Sequence, residues 1–477
     1  MLKKNILYNF SYQFLIMFLP FITAPYLTRV IGAEGIGVYS YSFSLASYFI
    51  YFSMLGLSNY GNRTIASIRT DKVQLSKTFS EIYCMQIMTS FLSIVAYIVY
   101  IIFLAENKVV AICQLILVCS AILDINWFFF GLEKFKLTIF RNVFVKLATV
   151  LCIFFFVKTQ ADVYKYILIM AIGTFVSQAV LWPYVTKEIN FIIPKLANIF
   201  KHFKQNFMLF IPVISVSIYK IMDKIMLGQI SGMESVGYFE SAERIINVPV
   251  ALFTAVGVVM LPKISSYIAM GKKNDTQRYF DLSMLLILAF TNAAAFGIAG
   301  IADEFVYVFY GSNFSMTATI MKLLAVTIIF LAAGNVLRTQ FLIPMKKDSI
   351  YIKSAILGAV VNFTINILLI PKLHVIGASL GTIMAEFVVC MYQFFAVRKD
   401  IKFKKYLLWE LIFLVAGSIM FIVIKELPLI NNVYVDLILQ IIAGGLVYCI
   451  IAYFCIIRRI VGDIIKTRKN FNQEVSK

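Results

Sequence analysis

Charge is what this chain has least of. Only 14% of its 477 residues are charged, against about 25% in a soluble domain. Hydrophobic residues make up 61% and aromatic residues 15%. Too little polar surface remains to clothe a water-soluble body, so lipid is the natural solvent. Histidine is nearly absent. His202 and His374 fall in expected loops on opposite faces, which argues against a histidine-based catalytic or metal centre. The seven cysteines (84, 113, 119, 152, 390, 449 and 455) all sit inside apolar runs. Their spacing fits neither a disulfide framework nor a zinc site. The P-loop pattern G-x-x-x-x-G-K-[ST] does not occur, so the sequence shows no ATP site and implies no cofactor. No linker or low-complexity segment divides the chain. The expected outer loops are too short to fold as domains, which places the function within the membrane.

What the chain does have is long apolar runs. A helix needs about 20 apolar residues to cross a hydrocarbon core. The runs predict about fourteen transmembrane helices, near 8–30, 37–58, 79–104, 109–131, 142–158, 164–184, 206–230, 237–261, 279–301, 316–340, 350–370, 376–397, 406–425 and 434–457. The first run follows Lys3 and Lys4, as in a signal peptide. It is too long for one and precedes no small-residue cleavage site, so it reads as a retained helix. An even count puts both termini on one side. Taking that side as the cytoplasm of a bacterial inner membrane, the inner loops and tails hold 30 of the 43 basic residues, Arg141 among them. The outer ends hold six. This is the positive-inside bias. The net charge of +19 is therefore a topology signal and not the footprint of nucleic acid.

One internal similarity stands out. Gly32-Ala-Glu34-Gly-Ile-Gly37-Val-Tyr39 and Gly232-Met-Glu234-Ser-Val-Gly237-Tyr-Phe239 share the pattern G-x-E-x-[I/V]-G-x-aromatic. They sit at equivalent outer turns, six helices apart. Parallel repeats of this kind are one transporter plan. The expectation is an all-α membrane protein with two six-helix lobes around a central cavity. Residues 1–205 form the first lobe, 206–400 the second, and 401–477 add two helices and a basic tail.

Ionisable groups at membrane depth are expensive and mark function by default. Lys220, Asp223 and Lys224 share one face of helix seven. Glu240, Glu243 and Arg244 follow in helix eight. The aligned first-lobe positions are Pro20, Thr23, Ala24, Ser40, Phe43 and Ser44, with Arg29 the one charge near that level. One reading is a cationic cavity in which Arg29, Lys220, Lys224 and Arg244 contact an anionic group. Asp223, Glu240 and Glu243 would then balance charge or carry a coupling proton or sodium ion. The other is an ion-pair network tying helices seven and eight together. Asp124 and Asn126, deep in helix four, either line the cavity or pack helices, and Asp124 joins the ion-coupling candidates. Arg338, Lys353 and Lys322 lie near helix ends and are expected to snorkel. Asn362 and Asn366 are expected to bridge helices. Pro20, Pro25 and Pro212 permit bends.

Helix four ends Asp124-Ile-Asn-Trp127-Phe128-Phe129-Phe130-Gly131-Leu-Glu133-Lys-Phe135-Lys136, followed by Arg141-Asn142. This resembles the D-x-x-W-F-F-x-G-x-E-x-[F/Y]-K signature of the Wzx-type oligosaccharide flippases. Phe156-Val-Lys158 with Asp162 and Tyr166 is similar to the next part of the family pattern. Tyr219-x-x-x-Asp223-Lys224-x-x-x-Gly228 is similar too, as is Val236-Gly237-Tyr238-Phe239-Glu240-x-Ala242-Glu243-Arg244. Leu261-Pro262, Asn335-Val-Leu-Arg338-Thr-Gln340-Phe-Leu-Ile-Pro344, Gly377-Ala378 and Glu386 extend the match to helix twelve. The resemblance implies the multidrug/oligosaccharidyl-lipid/polysaccharide exporter superfamily, with a fold like that of MATE exporters and MurJ. It also implies a substrate, undecaprenyl-diphosphate-linked repeat units of O-antigen or capsule. The polymerase and chain-length regulator of the same pathway are the implied partners, besides membrane lipid. A drug or cation antiporter of the same superfamily and a membrane polysaccharide polymerase are the alternatives.

Overall fold

In the computed structural model, residues 19–454 are described, apart from 429 and 431. The start of the first helix, the chain ends expected in the cytoplasm, the basic tail and Cys455 lie outside the described residues. So does the side chain of Pro212. The described residues contain helices and turns and no strand. Among the described residues, ten helical stretches are long and apolar enough to cross a membrane. One of them, Asp348–Val397, is a hairpin of two helices. Counting it as two, and adding the first helix and the helices Gly32–Met54 and Leu196–Ser231, gives the fourteen expected from hydropathy.

The chain divides into two compact units, Met1–Glu240 and Ser241–Lys477. In the first, α1 covers 19–30, α2 Gly32–Met54, α3 Leu57–Ile68 and α4 Lys72–Phe103. Then come α5 Lys108–Leu123, α6 Asn126–Gly131, α7 Phe135–Phe156, α8 Val163–Ala179, α9 Trp182–Val185 and α10 Leu196–Ser231. Helix α10 packs on α2, α3 and α4. The repeat boundary expected near 205 concerns duplication, while the boundary after Glu240 follows packing, and the two need not coincide.

Segment 59–78, expected to be a cytoplasmic loop, holds α3 instead. Leu57, Tyr60, Gly61 and Ile65 are buried and recur at helical spacing, while Asn59, Asn62 and Arg63 are exposed. Such a stripe suits a helix lying along the membrane surface. Its polarity conceals it from a hydropathy search. Segment 185–205 likewise holds the start of α10, which lifts His202 out of its expected loop. Burial pushes the Tyr60 hydroxyl above its usual pKa. It lies 2.5 Å from His202 Nδ1, and His202 Nε2 lies 3.0 Å from Glu81 Oε2 of α4. Three helices are thereby tied together.

The second unit begins within α11, Met233–Ala269, which meets α12, Lys273–Phe309, at a tight turn. Gly271 has φ +70° there, so the expected loop 262–278 is mostly helix. Then follow α13 Ser315–Ala325, α14 Thr327–Leu337, α15 Asp348–Leu373, α16 Val375–Val397, α17 Phe403–Glu426 and α18 Val433–Ala452. Helix α12 packs on α13, α14, α17 and α18. A π-helical turn, Arg338–Leu342, follows α14. The α15–α16 hairpin is held by small residues that let backbones approach. A Cβ on Gly377 would lie 2.5 Å from the Leu369 carbonyl, and one on Gly381 would lie 2.1 Å from Asn366 Oδ1. Asn366 also donates to Asn362 at 3.2 Å, a bond within α15 and not between helices.

Candidate functional site

The two repeated segments meet face to face. A Cβ on Gly37 would fall 1.7 Å from the Met233 carbonyl oxygen, and one on Gly237 would fall 1.9 Å from that of Ala33. The contact is reciprocal, since Met233, which Gly37 faces, and Ala33, which Gly237 faces, hold matching positions in the two segments. Only a residue without a side chain allows so close a backbone approach. Gly32 and Gly232 both have positive φ, +69° and +87°, and open their helices alike.

One turn inward lies the charged part. Lys224 Nζ reaches Glu240 Oε2 at 2.6 Å, and Ser40 Oγ donates to the same oxygen at 2.8 Å. Ser40 and Glu240 hold matching positions just after the two similar segments, one a hydroxyl and the other a carboxylate. Asp223 is almost fully buried at 2% exposure. Lys220 is exposed, so the three charges expected on one face of α10 differ in environment. Arg29 is exposed and donates to the Pro25 carbonyl at 2.8 Å. Glu243 and Arg244 are half-buried in α11 and belong to the second unit.

A second polar cluster centres on the signature. The expected fourth span is broken at Asp124 and Ile125, between α5 and α6. The break strands backbone carbonyls, which in lipid costs several kcal/mol each. Gln86 of α4 reaches them. Its Nε2 donates to the carbonyls of Ala121 at 2.7 Å and Asp124 at 2.9 Å. Its Oε1 accepts from the Trp127 indole at 3.0 Å. Asp124 holds Asn126 through its backbone and side-chain amides, at 3.0 and 2.7 Å. Asn126 Oδ1 in turn accepts from Arg141 at 3.0 Å, and its Nδ2 donates to Gln178 at 3.0 Å. Arg141, expected at a cytoplasmic loop, is instead inside α7 and only 8% exposed.

The rest of the motif docks α3. A Cβ on Gly61 would meet the Trp127 ring at 2.5 Å, and one on Gly131 would meet Ile65 at 2.6 Å. Glu133, with φ +58°, pairs with Arg69 at 2.6 Å. Replacing Gln86 by Leu is expected to lower the Tm of the detergent-solubilised protein and to perturb Trp127 fluorescence. The stability loss should be about 1–3 kcal/mol for each carbonyl left unpaired. An unchanged Tm would show that water takes over the glutamine's role.

In the second unit a cavity of about 390 Å³ lies among α11, α12, α17 and α18. Its wall is almost wholly apolar, with Leu252, Phe290, Met420, Ile424 and Ile441 prominent. Tyr448 and Gln440 supply its few polar atoms. The sequence reading did not find this cavity. At the end expected to lie outside, Asp303 binds Lys322 at 2.6 Å and Lys425 at 3.0 Å. Lys322 thus has a carboxylate partner where snorkelling was expected. Arg338 packs against the Tyr351 ring, 5.2 Å from its centroid.

Residues 2–268 match the family described as "Polysaccharide biosynthesis protein". The chain belongs to this family. Among similar proteins is a "Putative O-antigen transporter" of Shigella dysenteriae, 22% identical over 408 residues. The alignment covers 83% of this chain and all of that one. The protein of the same description in Escherichia coli K12 is 24% identical, over 84% of this chain and 97% of its own length. A lipid II flippase MurJ solved in an inward closed conformation shares the fold, with a TM-score of 0.77 at 18% identity. It covers 94% of this family member and 98% of MurJ. An inward-facing MATE multidrug transporter matches with a TM-score of 0.58 at 14% identity.

Proposed function

We propose that this protein is a flippase for lipid-linked oligosaccharide. The cargo is the undecaprenyl-diphosphate-linked repeat unit of O-antigen or capsule, carried from the inner to the outer leaflet of the cytoplasmic membrane. One observation carries the reading: the chain holds both a cation-bearing polar site at the repeat contact and a separate apolar cavity. A substrate with an anionic, sugar-bearing head and a long hydrocarbon tail needs both. The family and the transporter relatives support it. Arg29, Lys220, Lys224 and Arg244 would contact the diphosphate in turn. Asp124, Asp223, Glu240 and Glu243 would keep the path near neutrality when it is empty. The contact at Gly37 and Gly237 closes the outer side, and transport proceeds by its opening. Both chain ends lie in the cytoplasm in this reading. The polymerase and chain-length regulator of the pathway would take up the product outside.

Purified protein in vesicles containing fluorescent lipid-linked oligosaccharide should equalise the label between leaflets. No change in leaflet accessibility would sink the proposal. The shared fold with a MATE transporter favours drug antiport as the second reading. A deletion strain with altered drug sensitivity and normal surface polysaccharide would support it.

The cavity makes its own prediction. A side chain at Gly445, which lines it, meets no atom within 4 Å of the Cβ position. Gly445→Phe should therefore fold normally and occupy the space. Flipping is expected to fall about tenfold, some 1.4 kcal/mol on the barrier, with little change in Tm. A full flipping rate would show that the lipid tail does not use this cavity.

A further inference from the structure

The second unit holds a carboxyl group that the reading above does not use. Glu410 sits in the second turn of α17, inside an apolar spanning stretch. Its oxygens accept from Asn292 Nδ2 of α12 at 3.3 and 3.1 Å. Among the described residues no basic side chain lies within salt-bridge distance of it. Lys402 and Lys405, one to two turns before it, are held by Asp281 at 3.8 and 2.7 Å. Gln277 and Tyr406 bind the same Asp281. The other titratable neighbours are uncharged or acidic. Tyr448 of α18 and Cys390 of α16 feel the charge of Glu410, and Cys390 feels that of Glu386 too.

A lone carboxylate in such surroundings is costly, and taking up a proton removes the charge. A second observation points the same way. Asn292 is fully buried, yet its Oδ1 has no hydrogen-bond partner among the described residues. Asn292 Nδ2 already donates to the Leu288 carbonyl at 3.0 Å. An ionised Glu410 can only accept, so it cannot satisfy that oxygen. A protonated Glu410 carries no charge and is a donor beside that acceptor. A sodium ion would require more oxygens than a carboxylate and one amide. The carbonyls nearby are taken, that of Ala289 by the Tyr448 hydroxyl at 2.6 Å.

We infer that Glu410, held by Asn292, is a proton-binding site of the transport cycle. The inference rests on the transport reading. The proton comes from water on one side of the membrane, forms an O–H bond to Glu410, and leaves to water on the other. The neutral form fits the α12–α17 interface, while the ionised form draws in water and loosens it. These two helices also wall the apolar cavity, through Phe290 and Gly297 on α12 and Met420 and Ile424 on α17. Proton binding is thereby linked to the shape of the cavity.

Dicyclohexylcarbodiimide, which modifies protonated carboxyls in apolar settings, tests the site on the full chain in detergent. Peptide mass spectrometry should find Glu410 modified, with the extent falling steeply as the pH is raised. In vesicles, Glu410→Gln keeps the side chain's shape and an acceptor for Asn292. It is expected to abolish the dependence of flipping on an imposed proton gradient. Glu410 unmodified at every pH, or modified equally throughout, overturns the site. So does a Glu410→Gln protein that keeps its full proton-gradient dependence, or wild-type flipping driven by sodium and indifferent to pH. If labelling follows pH while wild type moves no lipid-linked oligosaccharide, the proton site stands and the flippase reading falls.

Discussion

Gly37→Leu is expected to stop transport and to leave the outer contact open. A Cβ at this position lies 1.7 Å from the Met233 carbonyl oxygen, and that obstacle is backbone, which no rotamer change can move. The leucine must push α2 and the start of α11 apart. Gly237→Leu meets the Ala33 carbonyl at 1.9 Å and should act identically, because the contact is reciprocal. Overpacking of this kind costs about 1–3 kcal/mol, which a stable membrane protein survives. A cysteine placed at buried Ser40 reports the opening. Its reaction from outside with a membrane-impermeant maleimide should speed up about tenfold in either variant. Transport should fall to background in both. Normal transport with unchanged labelling would mean that the contact yields easily and gates nothing. Lost transport with unchanged labelling would make it a folding contact.

The repeat was legible because glycine leaves its mark in sequence as well as in space. Gly37 and Gly237 are conspicuous letters, and the physical need for them is a backbone approach that no other residue allows. The fourteen helices were legible for an equally direct reason, since lipid demands apolar length. Hydropathy is blind to what happens within a span. The break at Asp124 exists because Gln86, on another helix, receives the stranded carbonyls, and a pattern read along the chain cannot show a partner 38 residues away. A guanidinium near a helix end is usually wet, so sequence alone places Arg141 in a loop. Here Asn126, Asn142 and Gln178 supply oxygens that keep it buried. Helix α3 was lost for the opposite reason, since a surface helix is half polar by design. Glu410 could have been found. It is a single acid in the apolar run 406–425, and such residues mark function by default.

The contest between a cavity and an ion-pair network at α10 and α11 turns on Lys224. Its ammonium is 2.6 Å from Glu240, and the two side chains are 15% and 20% exposed. Lys224→Ala alone cannot decide the matter, because it leaves a largely buried carboxylate without this cation. Breaking a fully buried pair costs about 3–5 kcal/mol, and partial exposure here brings that to roughly 1–3 kcal/mol. Lost transport could then reflect lost stability. The double variant Lys224→Ala with Glu240→Gln removes both charges and keeps an acceptor for the Ser40 hydroxyl. Its Tm is expected to return close to that of wild type. If Lys224 contacts the diphosphate, flipping in vesicles stays about a hundredfold down, some 2.7 kcal/mol of barrier. If Lys224 only neutralises Glu240, flipping recovers together with the Tm, and the anionic group must be bound elsewhere along the path.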